Sequence, residues 1–132
     1  MEHLFSNAAE ILLLLFLVIT FVQSGLDKII DWGGNLSWLK GHFAESPLKN
    51  IVPLLLGIIL IIEMIAGVLC AIGIYQLAAL GESVLAFYGA ILACVALLML
   101  LFGQRMAKDY DWARTIAIYF IPAIFLVFLL QP

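Results

Sequence analysis

The stretch NIVPLLLGIILIIEMIAGVLCAIGIY, residues 50–75, is apolar along almost its whole length and contains one charged residue, Glu63. A helix needs about 20 consecutive, mainly apolar residues to cross the hydrocarbon core of a bilayer. The apolar residues run continuously, without the alternation of a half-buried strand. A helix also satisfies all of its own backbone hydrogen bonds in lipid. We therefore predict that residues 50–75 form a membrane-spanning helix.

Three further apolar stretches have a similar length, at residues 8–30, 82–103 and 111–130. The chain is 66% hydrophobic and 11% charged, whereas a soluble domain is closer to half apolar and a quarter charged. The sequence thus predicts an all-α integral membrane protein, a four-transmembrane-helix bundle. Residues 1–132 make up this single membrane domain, because four spans and their connections leave no length for a second one.

The first connection, residues 31–49, is the only long one; the others are residues 76–81 and 104–110. Gly33-Gly34-Asn35 is a typical turn sequence. The following residues, LSWLKGHF at 36–43, mix apolar and polar side chains. We predict that they form an interfacial or re-entrant segment between the first two membrane helices.

All basic residues lie in or beside the first and third connections, and neither terminus nor the second connection contains one. They are Lys28, Lys40, Lys49, Arg105, Lys108 and Arg114. Lys and Arg are enriched in cytoplasmic loops of membrane proteins. We therefore predict that connections 31–49 and 104–110 are cytoplasmic and that both termini lie outside, in a bacterial cytoplasmic (inner) membrane.

Glu63 is the most informative residue, because it lies about 18 Å along its helix from the predicted cytoplasmic end at the helical rise. A charged side chain at the bilayer centre costs at least about 2.5–3.5 kcal/mol. Ala66, Gly67 and Cys70 follow at helical spacing, so the acid shares its face with small residues that let helices approach. We expect Glu63 to face protein, either protonated or hydrogen-bonded to another helix, with a functional or a purely structural role.

A polar stripe ends the first helix, with Ser24 and Asp27 at helical spacing and Lys28 beside them. We predict a polar pocket that opens towards the cytoplasmic half, with Glu63 at its floor and Asp27 and Lys28 near its mouth. Tyr119 of the fourth helix should lie close to the depth of Glu63. These five residues are the candidates for ligand binding or proton relay, although Lys28 could instead extend to the headgroups.

Small residues and one proline mark the predicted contacts between helices. Gly25 and Gly67 remove side chains where the first two helices could approach, and Gly89 begins a small-residue stripe in the third helix. Pro122 removes a backbone donor inside the fourth helix. We predict helix packing at these positions.

Two motifs resemble those of DoxX-like membrane proteins. FVQSGLDKIIDW resembles the G-x-x-K element that ends their first helix, with Gly25 and Lys28 as the matching residues. IIEMIAGVLCAIGIYQLAA resembles their second-helix element, in which a Glu precedes a Gly and an aliphatic run to another Gly. The matching residues are Glu63, Gly67 and Gly73, and the last is by this resemblance a further packing position.

The resemblance implies a four-helix subunit of a redox-linked, quinone-associated membrane assembly, because the family name comes from a subunit linked to thiosulfate:quinone oxidation. Glu63 would be the protonatable group, Lys28 its electrostatic partner, and quinone the bound molecule. The sequence has no haem ligand pair, iron–sulfur cysteine set or dinucleotide motif, so no catalytic motif stands on its own. Electrons would have to come from a protein partner.

Two alternatives remain open. Relatives in the family are also associated with helping other proteins to mature or traffic, which would make this an accessory or chaperone-like membrane protein. A small proton-coupled transporter is the third class, although small multidrug exporters have their glutamate in the first helix and balanced basic charge. The expected partners are the lipid bilayer and either another membrane protein or further copies of the chain. The sequence contains no basic run for nucleic acid and no metal-ligand spacing.

Overall fold

The computed structural model describes residues 2–132, which form helices and connecting turns without a strand. The α-helices, in chain order, are α1 (Glu2–Ser6), α2 (Ala8–Ile30), α3 (Trp32–His42), α4 (Val52–Tyr75), α5 (Val84–Met106) and α6 (Tyr110–Leu130). A 3₁₀ turn, Lys49–Ile51, precedes α4, and a π-helix, Gln76–Leu80, continues it.

Four of these helices are long and apolar enough to cross a membrane: α2, α5, α6 and the continuous helical segment Lys49–Leu80 that contains α4. The predicted all-α, four-helix membrane protein is therefore confirmed. The segment around α4 is the longest because the predicted connection 76–81 is largely helical. It ends at Gly81, whose φ of 72° is in the left-handed region, and the Gly81 N–H donates to the Gln76 carbonyl. Glycine adopts this conformation without a steric penalty.

The first connection contains α3, which begins earlier than the predicted segment at residues 36–43. Gly33, Gly34 and Asn35 lie in its first turn and do not form a separate turn. The cause is Asp31, whose Oδ1 accepts a hydrogen bond from the Gly34 N–H at 3.2 Å and so caps the helix. The Asn35 amide also donates to the Asp31 carbonyl at 2.8 Å. Gly33, Gly34 and Asn35, which suggested a turn, thus belong to the start of a helix.

Helix α4 lies against both α2 and α5, while α6 packs mainly against α5 and less closely against α2. The core contains large apolar side chains from α2, including Leu14, Leu17 and Phe21. Opposite them, α5 contributes a face of buried alanines. This combination lets α4 and α5 approach closely while α2 fills the remaining space, as is typical of packing in membrane bundles.

Glycines lie at the closest helix contacts. A Cβ added at Gly73 would lie 2.6 Å from the Ala86 Cα, and one added at Gly89 would lie 2.9 Å from the Cys70 backbone nitrogen. Because backbone atoms of the neighbouring helix lie this close at both positions, α4 and α5 approach each other closely there. On the other side of α4, a Cβ at Gly67 would lie 2.8 Å from Val22 Cγ2. A Cβ at Gly25 would meet the Met64 sulfur.

The two ends of the bundle differ in composition. At one end, the His3 ring lies beside Gly81, so α1 packs next to the π-helix. At the other end, connections 31–49 and 104–110 meet, where His42 contacts Gln104 and Asp109. We call this second end, which carries Lys40, Lys49, Arg105 and Lys108, the basic end.

Candidate functional site

A buried ion pair joins α2 to α4. Glu63, in the middle of α4, is 1% exposed, and the ammonium Nζ of Lys28 lies 3.0 Å from its Oε1 and 3.4 Å from its Oε2. The same ammonium donates a hydrogen bond of 2.6 Å to the Ser24 hydroxyl, one turn earlier in α2. These three residues form the Ser24–Lys28–Glu63 cluster, in which one cation lies between a hydroxyl and a carboxylate.

Lys28 reaches Glu63 because of its position near the end of α2. Side chains on a helix lean towards its N-terminus, so a long side chain in the last turns of α2 points towards the middle of the bundle. The Lys28 side chain is 16% exposed. A buried charge without a counter-ion is strongly unfavourable, and the pair lets both charges remain inside.

The carboxylate of Glu63 is only partly satisfied. Oε2 accepts from Lys28, whereas the 3.0 Å contact to Oε1 is not directed as a hydrogen bond. Oε1 therefore has no hydrogen-bond partner among the described residues. Lys28 balances the charge of the carboxylate, and Oε1 keeps the capacity to accept a further hydrogen bond.

A cavity of about 580 Å³ lies between the ion pair and the basic end. Its walls come mainly from α3, the first turns of α4 and the last turns of α5, and they are mostly apolar. Lys28 is the only charged residue that lines it in the part of the chain that the structure describes. Polar or amphipathic side chains line it as well, namely Asn35, Gln104, Trp38 and Trp112.

The lining of this cavity differs from the set of residues predicted for the pocket. Glu63 does not line the cavity and instead contacts Lys28, which does. The Asp27 side chain is exposed, because consecutive residues are rotated by about 100° around a helix and only Lys28 faces inwards. Tyr119 is 38% exposed and packs against Phe16, with ring centroids 6.3 Å apart, so it lies outside the cluster.

The predicted residues thus divide into two groups. The structure brings together Ser24, Lys28 and Glu63, and it separates Asp27 and Tyr119 from them. Pro122 lies within α6, half-buried, and the helix continues through it. Tyr119 packs against Phe16, whereas Glu63 contacts Lys28, twelve residues later in α2. Counting residues does not give the rotation of Tyr119, which depends on how α6 packs.

The interior beyond Glu63, towards the end that contains His3, is mostly apolar, with the buried oxygen Oε1 of the half-buried Gln76 as a polar exception. Among residues 2–132, the only buried polar or charged side chains are Ser46, which lies in the first connection, and Glu63 itself. Leu14, Leu17 and Cys70 fill the space on that side. The ion pair therefore has a polar neighbourhood only towards the cavity and the basic end.

His42, which was not among the predicted site residues, connects α3 to the third connection. Its Nε2 lies 2.9 Å from the Gln104 Oε1 and 3.4 Å from the Asp109 Oδ2. The Trp38 ring stacks on it at a centroid distance of 4.6 Å. Since Trp38 and Gln104 also line the cavity, these contacts hold α3 as its wall. The Lys and Arg residues of the two connections predict that both lie on the same face of the membrane, and this is the sequence signal for their contact.

The arrangement can bind a molecule in the cavity and donate a hydrogen bond to it from Lys28. Glu63 can balance the charge of the ammonium or exchange a proton. No group of three or more potential metal-ligating side chains occurs in the described part of the chain. The chain matches no protein-family model, and neither a curated protein nor a solved structure matches it.

Proposed function

We propose that this integral membrane protein is the quinone-binding subunit of a redox-linked membrane assembly, of the DoxX-like kind. The observation that carries the proposal is the apolar cavity that Lys28 lines, together with the pairing of the Lys28 ammonium with buried Glu63. The cavity volume of about 580 Å³ lies within the usual range for small-molecule sites.

The lining suits a flat, apolar head group with carbonyl oxygens. Trp38 and Trp112 offer aromatic surfaces, and Lys28 offers an N–H donor at the inner end of the cavity. A small number of placed polar groups in an apolar site is the usual means of orienting such a molecule. Lys28 therefore fixes the head group, and the aliphatic side chains of α4 and α5 contact the rest.

A bound quinone would supply the two-electron chemistry, and the protein's own residues would hold it and manage protons. Glu63 keeps the Lys28 ammonium in place and is the protonatable group behind it, out of contact with the cavity. Ser24 limits the movement of Lys28 by accepting its 2.6 Å hydrogen bond. Electrons come from a partner subunit in this proposal.

The proposal includes an orientation in a bacterial inner membrane. The basic residues at the basic end favour the cytoplasmic side, so the cavity would exchange protons with the cytoplasm and both termini would lie outside. Labelling of single cysteines introduced at Lys40 and at Glu82 with a membrane-impermeant maleimide tests this. In intact spheroplasts, only the cysteine at position 82 should react.

The test of function is the quinone content of protein that has been extracted gently from its native membrane. Wild type should retain quinone, measured by mass spectrometry of the extracted lipids, and Lys28→Met should lose most of it. Lys49→Met is the matched control, because Lys49 is an exposed lysine at the same end that does not line the cavity.

Wild-type protein without quinone would contradict the proposal. A non-redox membrane protein that co-purifies equally with all three versions would instead support an accessory role. In that case the ion pair would serve to hold α2 against α4.

A further inference from the structure

In residues 2–132, the one charged residue of the cavity wall, Lys28, is balanced by Glu63, which does not line the cavity. Lys28 lines the cavity and carries the only charge among the described lining residues, while its partner Glu63 does not line the cavity and is 1% exposed. The positive charge that a ligand meets is thus already neutralised by a carboxylate that the ligand does not touch. The wall as a whole has no net charge when both groups are ionised.

The hydrogen-bonding capacity of Lys28 is only partly used. An ammonium has three N–H donors, and two partners are present, the Ser24 hydroxyl at 2.6 Å and the Glu63 carboxylate. One donor has no partner among the described residues, and Lys28 lines the cavity. An uncharged acceptor, such as a carbonyl oxygen, would use this donor without changing the charge of the site.

A charged head group would disturb this balance. A carboxylate or phosphate in the cavity would share one cation with Glu63, which leaves an excess negative charge in an apolar environment. A cationic head group would face the ammonium directly. Both charged classes therefore pay a desolvation cost that the site does not compensate.

We propose that Glu63 makes the cavity selective for molecules with an apolar body and an uncharged, hydrogen-bond-accepting head. Glu63 is a specificity-determining residue that acts through Lys28 and does not contact the ligand. The inference rests on the proposed function, because it assigns the ligand class of the same cavity. It excludes anionic lipids and fatty acids, although a lone lysine in an apolar cavity would attract them.

The consequence is a reversal of preference when the counter-charge is removed. Glu63→Gln keeps the size and shape of the side chain but leaves Lys28 as an uncompensated cation. The variant should therefore prefer an anion to a neutral molecule. The double variant Lys28→Met/Glu63→Gln has neither charge and should lose the preference for anions again.

The experiment compares two probes with the same chain, a brominated fatty acid and its primary amide. Bromine quenches tryptophan fluorescence at short range, and Trp38 and Trp112 both line the cavity. Binding is measured in detergent micelles at alkaline pH, where the fatty acid carries its charge. Wild type should bind the amide about tenfold more tightly than the acid, a difference of about 1.4 kcal/mol, and Glu63→Gln should bind the acid more tightly.

Two results would overturn the inference: equal or tighter binding of the acid by wild type, or a Glu63→Gln variant that keeps the wild-type preference. If that single variant does not fold, the wild-type comparison and the double variant decide between the outcomes. Failure of both probes to quench would also overturn it, because the cavity would then not be a ligand site. A protein that purifies without quinone but prefers the amide would sink only the proposed redox function.

Discussion

Lys28 and Glu63 are mutual counter-ions across the contact between α2 and α4, with the Lys28 Nζ 3.0 Å from a carboxylate that is 1% exposed. Neither charge has another oppositely charged partner within 4 Å among the described residues. The two helices are therefore joined by a contact that is favourable only when both members are present. The Asp111–Arg114 pair of α6 is different, because both of its side chains are exposed and water can solvate either charge without the other.

The effects of substituting Lys28 and Glu63 on stability should not be additive. Removal of one partner leaves a buried charge, which typically costs about 3–5 kcal/mol, and the double substitution removes that charge. We expect Lys28→Met and Glu63→Leu each to lower the free energy of unfolding by about this amount. The variant with both changes should lose clearly less free energy of unfolding than the two single variants lose in sum.

Denaturation in mixed micelles, followed by circular dichroism, measures this coupling in a double-mutant cycle. Lys49→Met serves as the exposed-lysine control and should change stability by less than about 0.5 kcal/mol. Additive effects of the two single substitutions would show that the pair contributes no coupling.

The contact between α4 and α5 at Gly73 should not accept even one methyl group. Since an added Cβ would lie 2.6 Å from the Ala86 Cα, Gly73→Ala requires the two backbones to separate. Overpacking of this kind costs about 1–3 kcal/mol. Gly57→Ala in the same helix is the control, because no neighbouring atom lies within 4 Å of its added Cβ, and alanine is the better helix former.

Thermal unfolding in detergent provides the comparison, and only the Gly73 variant should lose stability. Similar midpoints for the two variants would mean that α4 and α5 can shift apart freely, contrary to the backbone contact described above.

The contacts of His42 should hold α3 over the cavity. His42→Ala removes the 2.9 Å contact to Gln104 and the contact to Asp109. The loss of about 1 kcal/mol for one such contact corresponds to about a fivefold increase in local opening. Hydrogen exchange measured by mass spectrometry should show faster exchange in residues 32–42, with the core of α4 unchanged.

Lys40→Ala, an exposed change in the same helix, should leave that exchange rate as it is. An equal acceleration in both variants would assign the effect to helix propensity and not to the contacts of His42.

The apolar interior beyond Glu63 should prevent the passage of protons across the bundle. Purified protein in vesicles with an imposed pH gradient should dissipate the gradient no faster than empty vesicles do. On that side of Glu63, the buried oxygen Oε1 of the half-buried Gln76 lies 13 residues further along the chain, so the described residues offer a proton no continuous chain of acceptors. A faster decay that Glu63→Gln abolishes would favour the transporter class instead.

The sequence was sufficient to predict the membrane helices and the inward direction of Glu63, because both depend on local composition and helical spacing. Ala66, Gly67 and Cys70 are buried together with Glu63, as their spacing requires. The start of α3 was less accessible, since it depends on whether the Asp31 side chain caps a helix or closes a turn. The same residues, Gly33 to Asn35, are compatible with both.

Asp27 and Tyr119 were predicted as pocket residues but do not line the cavity, and the physical reason is different. Counting residues gives depth in the membrane, but the rotation of α6 and the direction of long side chains are decided by packing between helices. Tyr119 is therefore partly exposed, at 38%, and packs against Phe16. Asp27 and Lys28 are neighbours in sequence, and only one of two adjacent helical residues can face the same partner.

The charge-neutral ion pair also determines how the site responds to the membrane voltage. An electric field does work on net charge that moves through it, about 2.3 kcal/mol for one elementary charge across 100 mV. Lys28 and Glu63 carry opposite charges 3.0 Å apart, so the field acts on them as a small dipole. With an uncharged molecule beside them, occupancy of the cavity should be the same in energised and in depolarised membranes.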